Sequence, residues 1–300
     1  MKYDLIIVGA GPAGLTAGIY AARSGLKTAI VSNDIGGTAN SILRIENWPG
    51  YSGTGTELMK KFYEQLKKYN VEVITEKVSN IEKKGKEFLI KTSKNGLISN
   101  SLILATGSER RNLKIPGEER LKGKGVSYCV TCDSFFFKNK IVAVIGGSDC
   151  AIGSALALAD IAKKVYVLYR GEVLRCENIN SERIKGNKKI ETIYDAIPRE
   201  IIGKDKVEGL LIEKKKKKEE IKLDGIFIEI GASPLTEFTK NLKLKLDKEN
   251  YIVVDEEMNS SIEGVFAAGD VTNSKLKQVL IASSQGAIAA KSALNFLKSK

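Results

Sequence analysis

The stretch of this chain with the clearest chemistry is Cys129-Val130-Thr131-Cys132-Asp133, followed by Phe135, Phe136 and Phe137. Two cysteines separated by two residues close a small disulfide or supply half of a zinc site. A structural zinc needs two further ligands at matching spacing. The sequence has no histidine, and its other cysteines, Cys150 and Cys176, are isolated. Structural zinc is therefore not expected, and a redox-active dithiol is. The thiolate is the nucleophile in disulfide exchange, and a thiol of ordinary pKa, about 8.5, needs activation at neutral pH. Without histidine, proton transfer falls to carboxylates, thiols, tyrosines or lysines. Asp133 directly follows the second thiol.

The elements around the dithiol indicate what it exchanges electrons with. Tyr3 to Val8 reads as a strand entering Gly9-Ala10-Gly11-Pro12-Ala13-Gly14. A helix of small apolar residues follows, stops at Ser24-Gly25, and gives way to a strand from Lys27 to Val31. This is the dinucleotide fingerprint in its strand–turn–helix–strand context. Gly9 permits the tight turn, Gly11 lets backbone approach a pyrophosphate, Gly14 lets helix and strand pack closely, and the helix N-terminus offers free N–H groups. The acid that usually closes the second strand is not clear, because Ser32 and Asn33 come before Asp34.

The unit recurs after the dithiol. A strand from Lys140 to Ile145 enters Gly146-Gly147-Ser148-Asp149-Cys150-Ala151, then a helix to Ala162 and a strand from Val165 to Leu168. Such an internal repeat is a nucleotide-binding design used twice. The second copy has Ser148 where the close-approach glycine belongs, so its pyrophosphate path is weakened or altered. Arg170 and Arg175 beyond it suit either the 2′-phosphate of NADP or a solvated strand end.

Three hundred residues allow two domains. Thr56 is the expected cap of a helix reaching about Tyr69, after a loop through Glu46-Asn47-Trp48-Pro49-Gly50 without periodicity. Short β runs at about 71–75, 87–92 and 97–104 end at Ala105-Thr106-Gly107. Domain boundaries are expected near 113, by Ile115-Pro116-Gly117-Glu118, and near 242. The last block carries Ala267-Ala268-Gly269-Asp270 and a helix from about Gln278 to Leu297, whose small residues at its N-terminus leave room for a cofactor near the backbone. The formal net charge is +12. The run Lys214 to Lys218 lies between two apolar strands and reads as a hairpin tip. No aromatics interleave it, so nucleic acid is not an expected partner. Nor is a membrane, since no apolar run reaches spanning length. No export signal is read, and a reducing cytoplasm is the expected compartment.

Taken together, Gly9 to Gly14, Glu46 to Gly50, Ala105-Thr106-Gly107, Ile115 to Glu118, Cys129 to Asp133, and Ala267 to Asp270 with Gln278 resemble the low-molecular-weight thioredoxin reductase family over essentially the whole chain. The resemblance implies an α/β fold of two Rossmann-like (three-layer ββα) nucleotide-binding domains, the second inserted in the first. It implies an FAD domain at 1–112 and 243–300, an NAD(P)-binding-like domain carrying the dithiol at 113–242, and a homodimer. By position, Gly9, Gly11, Pro12, Ala13, Gly14, Asn47, Ala105, Thr106, Gly107, Gly269, Asp270 and Gln278 would bind FAD. Cys132 would be the flavin-proximal thiol, Cys129 the one attacking a thioredoxin-like disulfide, and Asp133 the acid–base group.

The departures from the family gather at the second nucleotide site, for which Gly146, Gly147, Ser148, Arg170 and Arg175 would be the NAD(P) residues. Ser148, Gly153-Ser154 and Tyr169-Arg170-Gly171 replace a glycine, a glutamate pair and a His-Arg-Arg opening, and Lys277 replaces an arginine before Gln278. The expectation is a changed electron donor, with ferredoxin or a deazaflavin joining NADPH and NADH as alternatives. An oxygen-using dithiol oxidase and a non-catalytic flavoprotein are the competing readings.

Overall fold

The computed structural model describes residues 2–42 and 45–299. The chain divides into two compact units, Met1–Glu109 with Ser233–Lys300, and Arg110–Ala232 inserted between them. The crossings precede the positions expected near 113 and 242. The segment up to Leu242 belongs to the first unit because Leu242 and Phe238 pack with Val78, Ile81 and Ile252.

The core of the first unit is a parallel sheet. Strand β1 (Lys2–Val8) lies between β2 (Thr28–Ser32) and β3 (Gly96–Leu104), in parallel register with both. Such strands are covered on both faces, which is why Leu5-Ile6-Ile7-Val8 is a continuous apolar run and is wholly buried. Strand β3 changes partners along its length. Its first half pairs antiparallel with Glu87–Thr92, and its last three residues pair parallel with Val265–Ala267. Helix α1 (Pro12–Arg23) connects β1 to β2 and packs against the C-terminal helix Val279–Lys298. The contact is close: a Cβ at Gly286 would lie 2.1 Å from the Ala13 carbonyl oxygen. Ala282, Ala289, Ala290 and Ala293 of the C-terminal helix lie in the same core.

Helix α2 (Gly55–Lys67) is capped by Thr54 and not by Thr56. Thr54 Oγ1 accepts the Glu57 N–H at 3.2 Å while Glu57 Oε2 accepts the Thr54 N–H at 3.1 Å, a reciprocal box that Thr56 could not form. Thr56 instead donates to the Asn40 carbonyl. The stretch expected to be an aperiodic loop is a hairpin, Ile45–Trp48 against Tyr51–Gly53, with Gly50 at φ 80° in the turn. A strand at Val78–Lys84, absent from the sequence reading, extends the antiparallel part of the sheet.

The second unit carries an all-parallel sheet in the order β4 (Val126–Ser127), β7 (Gly225–Ile228), β5 (Ile141–Ile145), β6 (Lys164–Leu168), then Ile190–Ile193. Between β4 and β5 the chain forms α3 (Val130–Asp133), and α4 (Asp149–Ile161) joins β5 to β6. The lysine run is the hairpin tip expected, turning at Lys215 and Lys216, both at positive φ. Among the described residues, no helix is long and apolar enough to cross a membrane and no cluster of His, Cys, Asp or Glu is arranged to hold a metal.

Candidate active site

Cys129 and Cys132 are joined as a disulfide, with Cα atoms 5.3 Å apart. Cys129 caps the short helix α3, its Sγ accepting the Cys132 N–H at 3.2 Å. Two buried side chains hold this loop to the second unit. Val130 enters the core formed with Val142, Ala155 and Phe227. Phe137 packs edge-on to Phe227 with ring centroids 5.1 Å apart, a burial worth about 2 kcal/mol. Gly225 makes room for it, since a Cβ there would lie 2.1 Å from the Phe137 ring. Phe135 and Phe136 point the other way and are 78% and 72% exposed. Cys132 is exposed and Cys129 half-buried.

Asp133, singled out as the acid, is held by Ser127, a buried residue that the sequence reading passed over. Ser127 Oγ donates to Asp133 Oδ2 at 2.6 Å and accepts the Cys129 N–H at 3.0 Å. The Ile115-Pro116-Gly117-Glu118 motif has a local task nearby. Buried Glu118 accepts the Leu113 N–H at 2.9 Å and the Tyr128 hydroxyl at 2.6 Å, tying the residue before Cys129 to the preceding loop. Burial and this carboxylate push the Tyr128 phenol up.

In the first unit the glycine-rich turn has the form a dinucleotide needs. Gly9 sits at φ 106°, and a Cβ at Gly14 would lie 1.9 Å from the Gly9 carbonyl oxygen, so helix and turn meet without side chains. At Gly11 the nearest atom to an added Cβ is the Gly36 carbonyl oxygen at 4.0 Å. This open cradle fits a pyrophosphate lying against the backbone at the N-terminus of α1. Ala105 follows β3 with its N–H on Val8 O, and Thr106 donates to Leu235 O at 2.8 Å. Gly107, at φ 67°, accepts the Leu235 N–H. The Asn47 amide donates to Gln278 Oε1 at 2.9 Å, joining two positions assigned to the flavin. Gly269 donates to Gln285 Oε1 at 2.8 Å. Burial raises the Asp270 carboxyl above the usual range, with Lys277 pulling it down. Lys277 donates to the carbonyls of Asp270 and Thr272 and lies 4.1 Å from the Tyr251 ring centroid, so the lysine substituted at this position braces the Asp270 loop.

The two glycine-rich turns are the same structure built from different residues. Gly9 N–H bonds Val31 O as Gly146 N–H bonds Leu168 O, and Ala105 N–H bonds Val8 O as Glu229 N–H bonds Ile145 O. A later segment also docks on each turn, through Gly36 N–H on Ala10 O and Arg175 N–H on Gly147 O. With positions matched in this way, the open Gly11 becomes Ser148, and Gly36 becomes Arg175. Ala13, Ala17 and Ala105 become Cys150, Ser154 and Glu229. The Glu229 carboxylate accepts from Ser154 Oγ at 3.1 Å and Cys150 Sγ at 3.3 Å and is ion-paired with Arg110. Asp149 holds its carboxylate on the Glu177 N–H and the Asn180 amide, each at 2.8 Å. The Tyr169 ring is buried against Gly147 and Gly171.

Carboxylates thus stand at the second turn, in the region where a helix N-terminus otherwise favours phosphate. Cys150 is exposed as a residue, yet desolvation and Glu229 push its thiol up to about 12. Iodoacetamide at pH 8 is expected to label Cys129 and Cys132 in the reduced protein and to leave Cys150 unmodified, as read by peptide mass spectrometry. Rapid labelling of Cys150 would contradict its pairing with Glu229.

The sequence profile of the pyridine nucleotide-disulphide oxidoreductase family matches residues 3–286. The chain is similar to the thioredoxin reductase of Treponema pallidum (strain Nichols), 39% identical over 98% of this chain and 97% of that protein. Its structure is similar to that of Lactococcus lactis thioredoxin reductase (FR conformation), at 38% identity and a TM-score of 0.98, covering 100% of both chains. It is also similar to a ferredoxin-flavin thioredoxin reductase from Clostridium acetobutylicum, at 32% identity and a TM-score of 0.55, covering 100% of this chain and 99% of that one. The chain belongs to the pyridine nucleotide-disulphide oxidoreductase family, in its low-molecular-weight thioredoxin reductase group, and is an oxidoreductase with FAD as its cofactor.

Proposed function

We propose that the protein reduces the disulfide of thioredoxin or a similar small dithiol protein through Cys129 and Cys132. The observation that carries this reading is the disulfide in a firmly anchored loop, with Phe135 and Phe136 exposed beside it and Asp133 held next to it. Exposed aromatics next to a reactive pair suit a macromolecular substrate, since Phe contributes large apolar area to an interface. When bound, reduced FAD would supply the two electrons and one proton that open the Cys129–Cys132 disulfide to a Cys129 thiolate and a Cys132 thiol. The Cys129 thiolate then attacks the substrate disulfide, forming a mixed disulfide and expelling one substrate thiolate, which Asp133 protonates. Cys132 attacks Cys129 Sγ, releasing the second substrate thiol and restoring the starting disulfide.

The Gly9–Gly14 cradle, with Asn47, Asp270 and Gln278, holds FAD in this reading. The residues Gly146, Gly147, Ser148, Arg170 and Arg175 do not take NADPH or NADH as an ordinary member would. Support comes from Ser148 standing where the first turn has the open Gly11, and from the carboxylates of Asp149 and Glu229 beside it. The donor is then a one-electron protein such as ferredoxin, or a reduced deazaflavin, and the +12 formal charge suits an acidic protein donor. The working form is a homodimer in the cytoplasm, which sedimentation of the flavin-loaded protein would test. An anaerobic titration of the flavin absorbance with NADPH, NADH and reduced ferredoxin tests the donor. Bleaching by reduced ferredoxin alone is expected, and fast stoichiometric bleaching by NADPH would overturn this part. Peroxide formed from a dithiol substrate in air would favour the oxidase reading instead.

A further inference from the structure

We infer that Ser127 is a positioning residue that keeps Asp133 in register with Cys129 in both of the acid's protonation states. The inference rests on the proposed acid–base role of Asp133. Ser127 lies in β4, paired with Phe227 of β7, so its backbone is fixed by the sheet and its side chain is buried. Its Oγ has three neighbours: the Cys129 N–H at 3.0 Å, Asp133 Oδ2 at 2.6 Å and the Cys129 carbonyl oxygen at 3.3 Å. The Cys129 N–H always donates, which leaves the serine one proton and one acceptor site to use. When Asp133 is a carboxylate, the serine O–H donates to it. When Asp133 carries the proton on Oδ1, that proton is available to a leaving thiolate and the serine O–H still donates to Oδ2. When the proton sits on Oδ2 it donates to Oγ, and the serine O–H turns to the Cys129 carbonyl. A hydroxyl has the donor and the lone pairs for both arrangements. The acid therefore exchanges its proton with a leaving thiolate without losing its place, and the residue holding it also orients the backbone of the attacking cysteine.

The test uses the flavin-loaded enzyme, reduced with dithionite and mixed anaerobically with oxidised thioredoxin, with flavin reoxidation followed from pH 6 to 9. Four variants are compared: Ser127→Ala, Ser127→Thr, Asp133→Asn and the Ser127→Ala/Asp133→Asn double. Removing a general acid costs about a hundredfold or more, and misplacing it about tenfold. Ser127→Ala is expected to slow reoxidation about tenfold and flatten its pH profile, while Ser127→Thr restores most of the rate and the profile. In the Asp133→Asn background, Ser127→Ala is expected to change nothing further, the mark of two residues acting as one. An equal slowing in both backgrounds, or a wild-type profile for Ser127→Ala, overturns the inference and leaves the role of Asp133 standing. A wild-type rate and profile for Asp133→Asn overturns both.

Discussion

Cys129→Ser and Cys132→Ser are each expected to lower turnover of a thioredoxin disulfide by more than about a thousandfold, with flavin content unchanged. The size follows from the chemistry. Serine cannot form the mixed disulfide, and with one thiol left the pair can neither store two electrons nor resolve an intermediate. The two variants should differ. Cys129→Ser leaves no attacking thiol, so no covalent adduct with the substrate forms. Cys132→Ser leaves Cys129 able to attack but removes the resolving thiol, so the mixed disulfide accumulates and is visible by mass. Flavin retention follows because the loop is anchored in the second unit by Val130 and Phe137, whereas the open glycine cradle is in the first. A reversed pattern, with adduct trapped only by Cys129→Ser, would exchange the roles assigned to the two thiols.

Glycine-to-alanine substitutions form the second large prediction, because the same change should have opposite signs at different places. At Gly14 the new Cβ would lie 1.9 Å from the Gly9 carbonyl oxygen. Backbone on both sides must shift, at a cost of about 3 kcal/mol, or a midpoint lowered by roughly 8 °C. At Gly11 the Cβ meets nothing closer than 4.0 Å, so Gly11→Ala should keep the apoprotein's stability and weaken FAD by tenfold or more, since the methyl fills the cradle. At Gly153, in α4, an added Cβ has nothing within 4 Å, and alanine should stabilise by about 0.5–1 kcal/mol through helix propensity. Thermal melts with and without FAD, together with flavin affinity, separate the three. An unstable Gly11→Ala apoprotein would show that the turn's opening is structural and not a binding feature.

What the sequence made legible were features that local chemistry dictates. Strand–glycine–helix units announce themselves by an apolar run meeting residues that only a tight turn needs, so both sheets and both turns could be placed from their residues. The paired thiols and the acid after them were equally plain. The Ile45–Gly53 hairpin was hidden because its strands are too short to show alternation and the adjacent Glu46 and Asn47 are both exposed, which breaks the period of two. The Thr54–Glu57 box was readable, since a threonine three residues before a glutamate is its signature, but Thr56 drew the assignment. Glu229 could not be found this way. In Ile226-Phe227-Ile228-Glu229-Ile230 it looks like a strand-end residue turned to water, and its partners Arg110, Cys150 and Ser154 come from distant parts of the chain. Ser127 was hidden for a related reason, since its value lies in two contacts made only after α3 has turned Asp133 back over β4.

One backbone arrangement is used twice, and in the second copy the open Gly11 position and three buried alanine positions carry polar side chains. Three alanines became a thiol, a hydroxyl and a carboxylate that bind one another and Arg110, and two glycines became Ser148 and Arg175. A turn whose polar groups are already satisfied offers little to a pyrophosphate, and its carboxylates oppose one.

In the proposed reaction electrons leave the flavin through Cys129 and Cys132 to a protein disulfide. Its most direct measurement is the anaerobic mixing of dithionite-reduced, flavin-loaded enzyme with oxidised thioredoxin, reading flavin absorbance and thioredoxin thiols together. With excess oxidised thioredoxin the flavin absorbance is expected to return as four thioredoxin thiols appear per enzyme, two from the reduced flavin and two from the Cys129–Cys132 dithiol that it keeps open. Cys129→Ser and Cys132→Ser are expected to abolish turnover. A flavin that stays bleached while the thioredoxin disulfide remains intact, or one that reoxidises equally well in both variants, would contradict it.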